Sequence, residues 1–203
     1  MNTVYFSAQF DSSASDPYHC PESVVEVAFA GRSNAGKSSA INTITRNGKL
    51  ARTSKTPGRT QLINHFSLGE GKYLVDLPGY GYAKVSKDQQ KKWQASMTQY
   101  LVSRDTLRGL VLVMDIRHPL TDSDWKLIEL QQRGQSGLHV LLTKSDKLSK
   151  NQAASSVMAV QDALSKADVH ATLQDFSALK KRGVEDVHAI LDHWIFDVPL
   201  SED

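Results

Sequence analysis

The sequence lacks several features that would point to particular classes of protein. Its one cysteine, Cys20, excludes an intrachain disulfide and makes an intracellular protein the simplest expectation. No apolar run approaches the length that spans a bilayer, and residues 1–15 have no basic start followed by an apolar stretch. We therefore expect no signal peptide, no membrane partner and a cytoplasmic location. The seven histidines show no metal-binding spacing, which predicts structural roles for His65 and His118.

Charge of either sign is not in excess. The 24 Lys and Arg nearly balance the 22 Asp and Glu, so the net charge of +2 gives no argument for a nucleic-acid partner. The 203 residues, 40% of them hydrophobic, suit one globular domain with a sizeable core. Cys20 has no accompanying base pattern, which indicates a small packed side chain rather than a nucleophile.

A glycine-containing segment fits the pattern G-x-x-x-x-G-K-[ST] of a phosphate-binding loop. Residues 24–30 predict a buried strand before it, and residues 39–46 predict a helix after it. The glycines let several backbone N–H groups point at one spot in front of a helix N-terminus. Lys37 can then reach the β- and γ-phosphates, and the Ser38 hydroxyl can coordinate Mg²⁺. The segment comprises Gly31, Arg32, Ser33, Asn34, Ala35, Gly36, Lys37 and Ser38.

A second phosphate-site pattern follows a predicted hairpin. Residues 62–68 and 72–76 predict two strands with a turn between them. The second strand ends in the D-x-x-G pattern of GTPases, in which Asp76 can hold Mg²⁺ through water and the Gly79 N–H can contact a γ-phosphate. Upstream, residues 47–61 predict a basic loop. Its hydroxyls available to a metal belong to Thr56 and Thr60, and the D-x-x-G residues are Asp76, Leu77, Pro78 and Gly79.

A third pattern, [TN]-K-x-D, concerns the base. It follows the buried strand predicted for residues 138–142. The Asp146 carboxylate can accept hydrogen bonds from N1–H and the 2-amino group of guanine, both of which adenine lacks. The Lys144 stem can pack on the purine face. A later segment at 177–180, after the strand predicted for residues 169–176, resembles the S-A-[LK] loop whose backbone contacts guanine O6. These residues are Thr143, Lys144, Ser145, Asp146, Phe176, Ser177, Ala178 and Leu179.

Predicted strands and helices alternate along the chain. The alternation predicts an α/β fold of the P-loop NTPase class: a doubly wound, mostly parallel sheet with helices on both faces. The early hairpin predicts one antiparallel edge strand. Ligands of such sheets bind at the carboxyl ends of the strands, where all of the patterns fall. We assign residues 22–203 to this GTP-binding domain and predict that the polar residues 1–21 form an irregular arm laid on it.

With these motifs in this order, the chain resembles the EngB (YihA/YsxC) family of bacterial ribosome-biogenesis GTP-binding proteins, in the Era/EngA/EngB/septin group of translation-factor-class GTPases. The similarity runs from about residue 21 to residue 194 and includes the sequences 55–61 and 80–83 between the nucleotide motifs. The resemblance implies GTP hydrolysis, a role in large ribosomal subunit assembly and a link to division septum formation.

The resemblance also implies roles for single residues. Mg²⁺ would be bound by Ser38 and Thr60, and by Asp76 through water, while Lys37, Thr60 and Gly79 would act in catalysis. The phosphate loop would hold the phosphates, and residues 76–79 would form the second switch. The residues of the first switch near the γ-phosphate are Gly58, Arg59, Thr60, Gln61 and Leu62. Residues 143–146 and 176–178 would hold guanine.

Two positions bear on hydrolysis. Tyr80 follows D-x-x-G, where many small GTPases place a glutamine that orients the attacking water, and a phenol cannot copy the hydrogen-bonding pair of an amide. We therefore expect weak intrinsic hydrolysis that a partner, an ion or another residue assists. In related GTPases an asparagine at the position of Asn34 helps to bind K⁺ beside the phosphates. The alternative is that Asn34 only forms a hydrogen bond with the first switch.

Basic residues cluster in both switch regions, whereas residues 183–203 contain six acids and no Lys or Arg. One hypothesis is that the switch face docks on ribosomal RNA of a large-subunit precursor through phosphates. The other is an ordinary solvated face. A monomeric GTP-driven switch is the leading functional hypothesis, and a nucleotide-sensing scaffold with incidental hydrolysis is the alternative. The basic residues are Arg46, Lys49, Arg52, Lys55, Arg59, Lys84, Lys87, Lys91 and Lys92.

Overall fold

The computed structural model describes residues 2–51, 62–80 and 87–200, without the side chains of residues 87–90 and 92. A seven-stranded sheet with the order β1-β3-β4-β2-β5-β6-β7 forms its centre. All neighbouring strands from β4 to β7 pair in parallel, and β3 runs antiparallel to both β1 and β4. The strands are β1 Gln9–Ala14, β2 Val25–Gly31, β3 Ile63–Gly69, β4 Lys72–Asp76, β5 Leu107–Asp115, β6 Gly137–Thr143 and β7 Thr172–Asp175.

Helices cover both faces of the sheet, and each face has its own apolar core. One core contains Met97, Leu127 and Val160 from three different helices. The other contains Ile41 and Leu191 from the remaining two. The helices are α1 Lys37–Ile44, α2 Lys87–Ser103, α3 Asp122–Gln131, α4 Lys150–Lys166 and α5 Val184–Phe196. Helices α2, α3 and α4 therefore pack on one face, and α1 and α5 on the other, as in a doubly wound fold.

Local sequence explains why these elements form. The central strand β5 is apolar along most of its length because both of its faces are buried. Helix α3 begins with a capping box between Thr121 and Asp124, and α4 with one between Ser149 and Gln152. The predicted α/β fold is thus confirmed, with element ends shifted by a few residues.

The N-terminal segment differs from the prediction. An irregular arm was expected, but residues Thr3–Ser7 form a 3₁₀ helix and β1 adds an edge strand to the sheet. Tyr5 is fully buried, and its hydroxyl donates to Asp192 Oδ1 at 2.7 Å. The sequence hides this strand because β1 is mostly exposed and polar, so its pairing depends on β3 rather than on an apolar pattern. As a result, the antiparallel hairpin strand β3 lies one position in from the edge.

Strand register brings the predicted motifs to one edge of the sheet. Phe29 pairs with Asp76, so β2 continues into its loop beside the end of β4. Asp115 at the end of β5 pairs with Thr143 at the end of β6. Because these strands are parallel, their carboxyl ends form one side of the sheet, called the carboxyl edge below.

Candidate functional site

The turn between β2 and α1 requires its two glycines. A Cβ atom on Gly31 would lie 2.6 Å from the carbonyl oxygen of Val113 in β5. Gly36 precedes α1 with φ of +100°, in the left-handed region, and a Cβ there would lie 3.2 Å from Thr143 Oγ1. The turn therefore packs closely against β5 and β6 and leads directly into the N-terminus of α1.

The phosphate-loop lysine contacts the D-x-x-G aspartate. Lys37 Nζ donates to Asp76 Oδ1, and both side chains are largely buried. Ser38 follows Lys37 in the first turn of α1. A hydroxyl and a carboxylate are oxygen donors of the kind that Mg²⁺ prefers, so Ser38 and Asp76 fit that ion chemically.

The base motif is hydrogen-bonded to the phosphate loop. Lys144 adopts a left-handed backbone conformation, and its Nζ donates to the Asn34 carbonyl at 2.7 Å. Thr143 Oγ1 donates to the Ala35 carbonyl and lies 3.0 Å from that of Met114. Residues that are more than a hundred positions apart in the chain therefore form one continuous surface.

The loop after β7 completes this surface. Ser177 Oγ donates to Asp146 Oδ1 at 2.6 Å, and the Ser145 N–H donates to the Phe176 carbonyl at 3.1 Å. The hydrogen bond from Ser177 lowers the pKa of the Asp146 carboxyl below its usual value. Asp146 is therefore ionised near neutral pH and remains able to accept hydrogen bonds. Ala178 packs partly buried against the core.

Asp115, which the sequence analysis did not single out, belongs to the same site. Its carboxylate accepts Arg117 Nε at 2.9 Å and Lys144 Nζ at 2.9 Å. Burial raises the pKa of this carboxyl, but the hydrogen bonds from Arg117 and Lys144 outweigh burial and lower the pKa well below its usual range. Its position at the end of a buried parallel strand, like that of Asp76, is the signal that could have identified it.

Tyr80 points into the protein interior rather than along the surface. Its side chain is 4% exposed, and its hydroxyl donates to Asp124 Oδ1 in α3 at 2.7 Å. Burial, followed by the charge of Asp124, raises the pKa of this phenol well above its usual value. The hydroxyl is therefore a neutral donor with a fixed partner in α3.

Part of the predicted site lies outside the described residues. This holds for Thr56, Gly58, Arg59, Thr60 and Gln61, whereas Leu62 is described and partly exposed. Leu77 is buried, and Pro78 and Gly79 continue the backbone from β4. Of the basic switch residues, Arg46, Lys49 and Lys91 have described, exposed side chains. Those of Arg52, Lys55, Lys84, Lys87 and Lys92 lie outside the description.

Three further side chains were expected to be structural. Cys20 packs against a core, and burial raises the pKa of its thiol to about 11, which fits a packed residue. His65 is fully buried beside Tyr73, and His118 is exposed in the segment after β5. Within the described ranges, no three His, Cys, Asp or Glu side chains form a metal-binding group.

A phosphate loop joined to a guanine-type base motif on this doubly wound sheet defines a P-loop GTPase. Residues 26–144 match a family model described as 50S ribosome-binding GTPase. The probable GTP-binding protein EngB of Klebsiella pneumoniae is 50% identical over 202 residues, which cover 99% of this chain and 96% of the relative. That of Escherichia coli is 48% identical over 203 residues, which cover 99% and 97%. The chain belongs to the EngB family of GTP-binding proteins.

Solved structures share the fold. A probable GTP-binding protein engB superposes with a TM-score of 0.68 at 21% identity, over 86% of this chain and all of that one. Aquifex aeolicus Era bound to GDP.AlF4⁻ gives 0.66 at 17% identity, over 87% of this chain and 57% of that one. Family membership makes the chain a GTP-binding protein that hydrolyses GTP. Across the three described ranges, no helix has the length and apolarity to cross a membrane.

Proposed function

We propose that this chain is a GTP-driven switch that binds and releases a precursor of the large ribosomal subunit. The contact between Lys37 and Asp76 is the observation that carries the switch in this proposal, and the family description as ribosome-binding supports the partner. Phosphate attracts the lysine, and Mg²⁺ attracts the carboxylate, so loading with a nucleotide and its metal replaces one internal ion pair by two external ones. Occupancy of the phosphate loop is thereby communicated to the segment after β4.

The nucleotide would bind along the carboxyl edge. Residues 31–38 would hold the phosphates, while residues 143–146 and 176–178 would hold guanine. Residues 58–62 and 76–79 would form the two switches. Ser38 and Thr60, with Asp76 through water, would hold Mg²⁺, which supplies positive charge to the β- and γ-phosphates when bound. Lys37 and the Gly79 N–H would stabilise charge on the transferring group.

Intrinsic hydrolysis would be weak. Tyr80 follows D-x-x-G but donates its hydroxyl to Asp124, so it does not orient an attacking water. Asn34, exposed in the phosphate loop, is the candidate for K⁺ assistance. The test is the GTP turnover rate in K⁺ and in Na⁺ at equal ionic strength. We expect faster turnover in K⁺, and equal rates would exclude the ion.

The partner would be ribosomal RNA, contacted by phosphate-seeking basic side chains of the switch regions. The exposed side chains of Arg46, Lys49 and Lys91 support this proposal. The family description as ribosome-binding supports it as well. We expect binding to fall steeply with salt and to be lost when Lys87, Lys91 and Lys92 are neutralised. The link to division septum formation stays a prediction.

Co-sedimentation with ribosomal particles tests the switch. The protein would be compared with a non-hydrolysable GTP analogue, with GDP and without nucleotide. Association with large-subunit particles only in the GTP-analogue state is the expected result. Equal or absent association in all three states would remove the ribosomal assignment while leaving the GTP site intact.

The second candidate function is a nucleotide-sensing scaffold in which hydrolysis is incidental. The hydrogen bond from the Tyr80 hydroxyl to Asp124 favours the scaffold, because a hydroxyl held in this way does not orient an attacking water. Single-turnover hydrolysis with and without ribosomal particles separates the two functions. Acceleration by particles supports the switch, whereas an unchanged slow rate supports the scaffold.

A further inference from the structure

Tyr80 joins three parts of the molecule that are remote in sequence. Its backbone extends the pairing of the central sheet beyond the end of β4 as an isolated parallel bridge with Arg32. The Tyr80 N–H donates to the Gly31 carbonyl at 3.4 Å, and the Ser33 N–H donates to the Tyr80 carbonyl at 3.1 Å. The residue after D-x-x-G is thus hydrogen-bonded to the phosphate loop through both its backbone N–H and its backbone carbonyl.

The side chain of Tyr80 anchors the same residue to α3. Its hydroxyl donates to Asp124 Oδ1, and the other carboxylate oxygen accepts the Thr121 N–H at 2.8 Å and the Thr121 hydroxyl at 2.7 Å. Each carboxylate oxygen of Asp124 therefore has a hydrogen-bond partner within the protein. The residue is only 1% exposed, so water has little access to it. The Tyr80 ring also lies 5.9 Å from that of Trp93 in α2.

Asp124 therefore has two functions in one side chain. As the third residue of α3, it closes the capping box with Thr121, which fixes the start of the helix. As the acceptor for Tyr80, it fixes the side chain that follows Gly79. A displacement of Gly79 that carries the Tyr80 side chain with it must either move the start of α3 or break a buried hydrogen bond to a carboxylate.

We propose that Asp124 is a positioning residue for Gly79, acting through the Tyr80 hydroxyl, and that α3 thereby senses the γ-phosphate. The inference rests on the proposed switch function, because it takes the Gly79 N–H as the group that contacts the γ-phosphate. We take the anchored position of the Gly79 N–H as the one that contacts the γ-phosphate; because GDP lacks this phosphate, the anchor then contributes to binding of GTP and not to binding of GDP. Its loss lowers the preference for GTP over GDP.

Substitutions Tyr80→Phe and Asp124→Asn test the anchor. The readout is the ratio of the dissociation constants of GDP and of a non-hydrolysable GTP analogue, each measured with Mg²⁺. We expect each variant to lower the preference for the GTP analogue by about fivefold to tenfold. The double variant should lose no more than the stronger single variant, because both remove the same contact.

Tyr100→Phe is the matched control. Tyr100 is also a fully buried tyrosine, and it donates to a buried carboxylate, Glu26 Oε2, at 2.5 Å. Glu26 and Tyr100 contact none of the predicted nucleotide residues in the described hydrogen-bond network. Tyr100→Phe should therefore lower stability while leaving the ratio of the two dissociation constants unchanged. An unchanged ratio in Tyr80→Phe and Asp124→Asn would overturn the inference.

Hydrogen exchange of the unaltered protein gives a measurement that does not depend on the folding of any variant. We expect the backbone amides at the start of α3, in residues 122–126, to exchange more slowly with the GTP analogue than with GDP. Equal exchange in the two states would overturn the inference and leave the proposed switch standing. Failure of the unaltered protein to bind either nucleotide would instead overturn the proposed function, and the inference with it.

Discussion

The two ends of the central sheet both hold carboxylates against cations, but in different ways. At the amino end, Glu26 is completely buried and accepts bonds from Arg104 Nε at 2.7 Å and from the Tyr100 hydroxyl. At the carboxyl edge, Asp76 contacts Lys37 with both side chains largely buried, whereas the contact between Asp115 and Lys144 is partly exposed. In the first network, Arg104 and Tyr100 both donate to a single carboxylate. In the second, Lys37 and Lys144 can donate to other acceptors in place of Asp76 and Asp115.

The difference explains why similar chemistry serves two purposes. A buried ion pair with complete hydrogen bonding ties elements together, since any other arrangement leaves a charge unpaired. Arg104 also donates to the Pro21 carbonyl at 2.7 Å, which fastens the segment before β2 to the end of α2. At the carboxyl edge, phosphates and a metal can replace the internal partners at modest cost. Position beside the nucleotide motifs, rather than burial, thus separates the exchangeable charges from the structural ones, since Lys37 and Asp76 are also largely buried.

The largest effect should come from Arg104→Ala. It leaves the Glu26 carboxylate buried without its cation, which costs about 3–5 kcal/mol of unfolding free energy. Thermal and urea unfolding measure this loss. Arg117→Ala is the control at the carboxyl edge, where Arg117 is half exposed beside Asp115 and its loss should cost about 1 kcal/mol or less. Equal losses in the two variants would remove the distinction between the two ends.

Lys37→Ala should lower nucleotide affinity more than it lowers stability. It removes a charge-assisted contact to phosphate, which lowers GDP affinity by about 2–3 kcal/mol, while stability falls less than in Arg104→Ala. Fluorescent-GDP titration and urea unfolding measure the two quantities. Lys72→Ala is the matched control, because Lys72 also pairs with a carboxylate, Glu70 Oε2 at 2.7 Å, away from the nucleotide motifs. Loss of GDP affinity in both variants would argue against a specific role for Lys37.

Mild acid should lower the free energy of unfolding more than it lowers the affinity for GDP at the carboxyl edge. Burial lowers the pKa of His139 to about 4, whereas the unfolded chain takes up this proton near 6.5. The unfolded state therefore binds more protons between these values, and stability falls as pH decreases through that window. From pH 7 to pH 5 the loss is about 2 kcal/mol for this residue. Asp146, with its lowered pKa, stays ionised, so GDP affinity should change less.

Urea unfolding at pH 7 and pH 5 gives the measurement. His139→Gln should reduce the pH dependence, and His170→Gln, at an exposed position, should not. Burial also lowers the pKa values of His65 and His188, so part of the dependence remains in His139→Gln. The same dependence in all three proteins would contradict the assignment.

The smallest effect concerns Asp115→Asn. This variant keeps an acceptor but weakens the hold on Lys144, whose Nζ also contacts the Asn34 carbonyl. We expect GDP to dissociate a few-fold faster, or about 1 kcal/mol. Stopped-flow release of fluorescent GDP measures the rate. Asp175→Asn is the control, since Asp175 pairs with Arg182 at the end of β7. Additive effects in the double variant Asp115→Asn, Lys144→Ala would show that Asp115 does not act through Lys144.

Sequence patterns predicted the architecture because the parallel strands are apolar and the motifs follow them directly. They also predicted the capping box of α3, which depends on two residues three positions apart. They failed for β1, whose polar residues become a strand only through pairing with β3. The direction of the Tyr80 side chain could not be predicted either, because its partner Asp124 lies 44 positions away on a different element. Local chemistry can be predicted from local sequence, whereas contacts between elements depend on the assembled fold.

The N-terminal strand β1 also forms an open edge of the sheet, where a second molecule could add a strand. An open sheet edge invites strand addition by a second chain and hence aggregation. On the six-residue edge strand β1, the bulge between Phe10 and Ser12 and the exposed charge at Asp11 disfavour lateral pairing, although the Phe10 side chain is itself exposed. Without β1, the open edge would be β3, which has apolar side chains at Ile63 and Phe66. We therefore expect β1 to protect β3 from strand addition by a second chain.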